Sequence, residues 1–167
     1  MNKAVRKFRS FAEAEKADRT FYKKLSGNER LQLLLELLNH APEQRPEFLE
    51  LLNLRGSDYV IVGAHSLAFH GRPRYTGDLD ILIRPTPENA VKLVDLLNTF
   101  GSAHSGLREV DFTTPTQIIQ LGRAPNRIDL LTSISDVTSN EAFDTRIPAE
   151  LDGIPVFILA KEALIRN

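Results

Sequence analysis

Between residues 11 and 56 the apolar positions recur at helical spacing, and from residue 59 onward the period changes. Phe11, Ala14, Ala17 and Phe21 line one face of a helix predicted over 11–24, which Ser10 and Glu13 open in a capping-box pattern. Ser26 and Glu29 repeat the device before NERLQLLLELLNH. In that segment Leu31, Leu33, Leu34, Leu35, Leu37 and Leu38 form a band wider than one stripe, so the helix should be covered on two sides. A third helix starts near Pro46, with Gly56 placed as its C-terminal cap.

YVIV at 59–62 reads as a buried strand, AHSLAFH after Gly63 as a short helix, and LDILI as a second strand. Thr86 and Pro87 are placed as the N-cap and first residue of a helix that Gly101 closes. TQIIQLGRAPNRIDLLTSI carries two strand patterns around GRAPN and predicts a hairpin. A short helix near 139–143, a strand IPVFIL after Asp152 and Gly153, and a helical start AKEALIRN complete the pattern. Strands and helices mix without a strict βαβ rhythm, and the hairpin requires antiparallel pairing. The expected class is therefore α+β, a mixed sheet flanked by helices. A helical segment over 1–56 and a second domain over 57–167 are the expected divisions.

A chain of 167 residues can bury roughly 70% of its unfolded surface and needs no covalent staples. It has no cysteine, which excludes disulfides, thiolate metal sites and a cysteine nucleophile and suits a reducing cytoplasm. The first 21 residues are charged throughout, and no apolar run approaches the ~20 residues of a membrane span, so a soluble cytoplasmic protein without membrane contact is expected. The net charge of −1 conceals an asymmetry: residues 1–25 hold eight Lys or Arg against three Asp or Glu, the remainder 13 against 19. Such a head reads as a solvated helix face or a docking surface for the acidic remainder, with nucleic acid as the alternative partner.

Two charges stand inside the second strand, where Asp78 and Asp80 alternate with Leu79 and Ile81. Positions i and i+2 of a strand share a face, roughly 6.5 Å apart, so the two carboxylates point together and repel unless a cation lies between them. Hard divalent cations take oxygen ligands and share them with water and substrate phosphates. Asp129 also interrupts an apolar strand, between Ile128 and Leu130. If the two strands are neighbours, three acids converge, as in sites where two ions polarise the attacking and leaving oxygens. Gly63 ends a strand and begins a helix, a place where phosphate meets free backbone N–H groups. Arg72 and Arg74 precede the acids, with Thr76 and Gly77 between, and guanidinium groups there suit a triphosphate.

A glycine turn, a short helix, an Arg-bearing loop, Asp-x-Asp in a strand and a distant third aspartate together resemble the DNA polymerase β-type nucleotidyltransferase superfamily. VIVGAHSLAFHGRPRYTGDLDILI, PNRIDLLTSIS and IPVFILAKEALIRN are similar to small bacterial minimal nucleotidyltransferase-like proteins of toxin–antitoxin and phage-defence loci, over roughly 48–167. The resemblance implies a nucleotidyltransferase fold, Asp78, Asp80 and Asp129 as Mg²⁺ (or Mn²⁺) ligands, Asp129 also as general base, and Gly63 with Ala64 as the phosphate-contacting turn. Ala64 departs from the family's Ser or Gly, keeping backbone donors but lacking a hydroxyl. Similar proteins also continue beyond the position of Asn167 with a further helical segment. The N-terminal helices look similar to small helical partner proteins encoded beside such enzymes, which implies a protein partner for them.

Asp-x-Asp alone is common on surface strands, so the constellation carries the reading rather than the pair. His65 follows the glycine turn and is a candidate nucleotide contact with Arg72, Arg74 and Thr76. His70 lies about 140° around the helix from it, so the two make no chelating pair. Arg123 and Arg127 divide evenly between surface and substrate roles, and Ser66, Ser133 and Ser135 lack the partners of a serine nucleophile. The expected activity is Mg²⁺-dependent transfer of a nucleoside monophosphate from a nucleoside triphosphate to a hydroxyl of a protein, an RNA or a small molecule. The alternative is an inactive binding module of the same fold, serving as an antitoxin or regulatory subunit. A glycosyltransferase using Asp-x-Asp ranks third, because it calls for a larger parallel-sheet domain.

Overall fold

Along DLDILI the odd positions Leu79, Ile81 and Ile83 are buried on one face and Leu82 on the other, so this strand needs a cover on both sides. The computed structural model supplies both covers; it describes residues 20, 23–38, 44–72, 76, 78–102, 106–123 and 126–167. In chain order these form α1 (Gly27–Leu38), α2 (Gln44–Leu54), β1 (Tyr59–Ile61), α3 (Gly63–Phe69), β2 (Asp78–Ile83), α4 (Pro87–Leu97), α5 (Glu109–Thr113), β3 (Ile118–Arg123), β4 (Asn126–Leu131), α6 (Ser139–Asp144), β5 (Ile147–Leu151), β6 (Ile154–Ile158) and α7 (Lys161–Arg166). The helix expected at 11–24 lies outside the described residues except at 20, 23 and 24. Among the described residues, no helix is long and apolar enough to cross a membrane.

The six strands form one sheet in the order β3-β4-β2-β1-β6-β5. It is mixed: β1 and β2, β3 and β4, and β5 and β6 run antiparallel, whereas β2 with β4 and β1 with β6 are parallel. The α+β class with a mixed sheet is as the sequence predicts. On one face, Tyr59, Ile61, Leu79, Ile81, Ile83, Ile128 and Leu130 pack with Leu31 and Leu34 of α1, Phe48 and Leu52 of α2, Leu93 and Leu96 of α4 and Phe112 of α5. Burial of each large apolar side chain contributes roughly 1.5–3 kcal/mol, so this face carries most of the packing energy. On the other face, Val60, Val62 and Leu82 pack with Phe143 of α6, Leu159 just after β6, and Ala163 of α7. Arg166 pairs with Glu141 and ties α7 to α6.

Local signals set the element ends. The Ser26 hydroxyl accepts from the Glu29 N–H while the Glu29 carboxylate accepts from the Ser26 N–H, as the capping-box pattern predicts. Gly56 closes α2 with φ +60: its own N–H reaches the Asn53 carbonyl and the next N–H, of Ser57, the Leu52 carbonyl. Thr86 caps α4 by accepting from Asn89 N–H. Two elements depart from the expectations. Residues 147–158 form a hairpin rather than a single strand, because Asp152 (φ +52) and Gly153 (φ +78) make a two-residue turn whose twist suits paired strands. The short α5 is a further addition, its Asp111 carboxylate accepting from the Arg108 N–H. The leucines of α1 that would face a second cover lie among side chains outside the described ones, apart from buried Leu31 and Leu34.

Candidate active site

The face that begins with Val60 and Leu82 changes character toward the start of β2. Leu82 stands between Val60 on β1 and Leu131 on β4, an apolar row roofed by α6 and α7. One step away, Asp80 pairs with Asp129 on β4, which pairs with Gln120 on β3, and Asp80 O accepts from Val62 N–H. A further step brings Asp78, Arg127 and Gly122 into line. Period two along each strand places all of these on one face. The acids thus continue the inner face beyond its apolar roof.

Arg127 closes this group. Its Nε donates to Oδ1 of Asp129 at 2.6 Å, while Nη2 donates to Oδ2 of Asp129 at 2.8 Å and to Oδ2 of Asp78 at 2.9 Å. Planar guanidinium meets planar carboxylate in a two-pronged fork, which a lysine point charge cannot reproduce. The hydrogen bonds to Asp129, with the charges of Asp129, Asp78 and Asp80 behind them, hold the guanidinium proton more firmly than usual despite partial burial. Asp129 is 6% exposed, whereas the side chains of Asp78 and Arg127 retain 31% and 26%. The pair therefore has a deep partner and a rim partner.

Gly63 fits closely against Asp80. Its φ is +61, and a Cβ built there would lie 2.0 Å from Oδ2 of Asp80, so only a residue without a side chain lets the carboxylate rest over this turn. Ala64 and His65 are buried at 3% and 1% exposure, which leaves backbone rather than side chain at the turn's surface. Thr76 serves the strand itself: its hydroxyl accepts from Asp78 N–H and donates to Asp78 O, fixing where β2 begins. Arg72 is exposed just past α3, and Arg74 lies outside the described residues. His70 places Nε2 at 2.8 Å from the Leu159 carbonyl, which Ser66 also contacts, so both anchor α3 to the end of β6.

The structure thus gathers Gly63, Asp78, Asp80 and Asp129, with the Thr76 hydroxyl on the main chain of Asp78, and places Gln120 and the hairpin arginine Arg127 beside them. Gln120 is exposed beside Asp129, and Arg127 bridges the two strands. The i, i+2 rule that pairs Asp78 with Asp80 also pairs Arg127 with Asp129, so the signal for Arg127 was present in the sequence.

Among the described residues, no three or more His, Asp or Glu side chains are arranged to hold a metal ion. The donor chemistry nonetheless fits a hard divalent cation, since Asp78, Asp80 and Asp129 offer only carboxylate oxygens. Arg127, a positive group, is lodged between two of the three acids. Compared with known proteins, the chain matches no protein-family model, no curated protein and no solved structure.

Proposed function

We propose that the chain is a Mg²⁺-dependent nucleotidyltransferase of polymerase β-like fold, moving a nucleoside monophosphate from a nucleoside triphosphate to a hydroxyl acceptor. The observation that carries this reading is the register of β2 against β4, which sets Asp80 opposite Asp129 with Asp78 one step away on the same face. Acids spaced this closely on an inner sheet face raise one another's electrostatic cost unless cations are their partners. Asp78, Asp80 and Asp129 would hold the metal, which when bound supplies charge neutralisation for the phosphate oxygens. The chain's own residues do the rest. The Gly63 turn presents backbone at the start of α3, Arg72 offers a guanidinium to a polyphosphate, and Asp129 takes the acceptor's proton as its oxygen attacks the α-phosphorus. The bond to the bridging oxygen breaks and pyrophosphate departs.

In this reading residues 57–167 carry the catalytic groups, and residues 1–56 are a helical segment whose α1 and α2 pack on the sheet and for which the resemblance implies a protein partner. A nucleoside triphosphate substrate places the protein in the cytoplasm, and the resemblance suggests a toxin–antitoxin or defence setting. A second reading has one observation in its favour. Arg127 already pairs with both Asp78 and Asp129, as suits a fold kept as a non-transferring binding module. Incubation with α-labelled nucleoside triphosphates, Mg²⁺ or Mn²⁺ and a cell extract separates the two. Label on a macromolecule that disappears in Asp78→Ala supports the transferase, and nucleotide binding without transfer supports the module.

A further inference from the structure

We infer that Arg127 is a displaceable internal counter-ion that keeps the acidic row closed until a divalent cation takes its place, an inference that rests on the metal-dependent reading above. Its fork occupies both oxygens of Asp129 and one of Asp78, the groups on which a divalent cation depends. While they are so engaged, a cation reaches these oxygens only by taking the place of the guanidinium.

The arrangement is built to be released. Among the described residues, all hydrogen bonds of the guanidinium go to these two acids, so a cation that satisfies the acids removes its reason to stay. Its cross-strand neighbour on β3 is Gly122, which offers no side chain to pin it. With 26% of its side chain exposed, the guanidinium can swing into water without opening the core. Charge sets the direction of exchange: Arg127 brings one positive charge to Asp78 and Asp129, and a divalent cation brings two. Tethering gives Arg127 the advantage at low cation concentration, since it never leaves the vicinity.

The test is direct binding of Mn²⁺ to the full chain, measured by calorimetry and water-proton relaxation for wild type, Arg127→Met and Arg127→Lys, with Asp129→Asn as the loss control. Removing a positive charge within hydrogen-bond reach of two ligands should tighten Mn²⁺ binding about tenfold or more in Arg127→Met. Arg127→Lys should fall between, because it keeps the charge and loses the fork. Equal affinity in wild type and Arg127→Met would overturn the inference and leave the metal site standing. Failure of every form to bind Mn²⁺ would overturn the metal site and the inference with it.

A second measurement needs no variant and guards against one that fails to fold. The Nε–H proton of Arg127 in the wild-type chain, observed by NMR, should be protected from exchange with water in the absence of metal. Protection should be lost in step with Mg²⁺ binding. Protection that survives saturation with Mg²⁺ would overturn the inference.

Discussion

Gly63 and Asp80 compete for one space: a methyl group on Gly63 would stand 2.0 Å from the Asp80 carboxylate. The glycine also has φ +61, where a Cβ is strained. Gly153 offers the matched comparison, with φ +78 and nothing within 4 Å of its added Cβ. Gly153→Ala should therefore cost only the left-handed backbone strain, about 1–2 kcal/mol. Gly63→Ala should cost more and displace Asp80, losing nucleotide transfer as well as stability. Urea melts of the two variants beside the transfer assay check this, and equal losses in both would show that the contact with Asp80 has no consequence.

Asp129 and Asp78 share Arg127 unequally. Two of its three hydrogen bonds go to Asp129, the deeper residue, and one to Asp78 at the rim. Asp129→Asn should lower the denaturation midpoint more than Asp78→Asn, because it weakens the fork where water compensates least. Either substitution should reduce label transfer by about a hundredfold or more if both acids serve the reacting phosphate. The two readouts should thus separate, with stability ranking the variants and activity not.

Tyr59 predicts a feature of the alkaline limb. Burial pushes its phenol up to about 12, against opposing effects from its hydrogen bond to Asn53 and the charge of Arg146. The folded state holds this proton more tightly than the unfolded chain does. Its contribution to stability is therefore complete below the unfolded value near 10 and is lost as pH rises through the folded value. Denaturation at stepped pH should show a fall on the order of 2 kcal/mol across that window, missing in Tyr59→Phe. In the native chain, phenolate absorbance from Tyr59 should emerge only with unfolding or at the top of the range.

The position of β2 at the centre of the sheet and of β3 at its edge can be weighed with two isoleucines. Ile81 is fully buried, and Ile118 is 62% exposed. Ile81→Ala should cost about 2–5 kcal/mol. Ile118→Ala should stay within about 0.5 kcal/mol. Chemical denaturation of the pair reads the difference, and similar costs would contradict the sheet order.

What the sequence made legible is mostly what neighbours along the chain decide. Ser26 with Glu29, Gly56, and Thr86 with Pro87 each act within one turn of helix, so their residue types disclose their roles. The common face of Asp78 and Asp80 follows from strand period alone. That Asp129 joins them depends on β4 lying parallel to β2, with α4, α5 and β3 intervening in the chain. No local pattern selects that neighbour. The Asp152–Gly153 turn is different, for the pair is a strong hairpin signal and residues 147–151 before it alternate in burial. Pro148 within that strand weakens its sequence signature, and its place on the edge strand β5 is where proline is tolerated. Five-residue α5 is too short to display a period at all.

The measurement that bears most directly on the central claim follows both ends of the triphosphate. Nucleoside triphosphates labelled at the α-phosphate in one arm and the γ-phosphate in the other are incubated with the full chain, Mg²⁺ and a cell extract, beside Asp80→Asn. The account predicts α-label on an acceptor, γ-label in pyrophosphate, and the loss of both in Asp80→Asn. Nucleotide bound equally by wild type and Asp80→Asn, with no α-label on any acceptor, would contradict it.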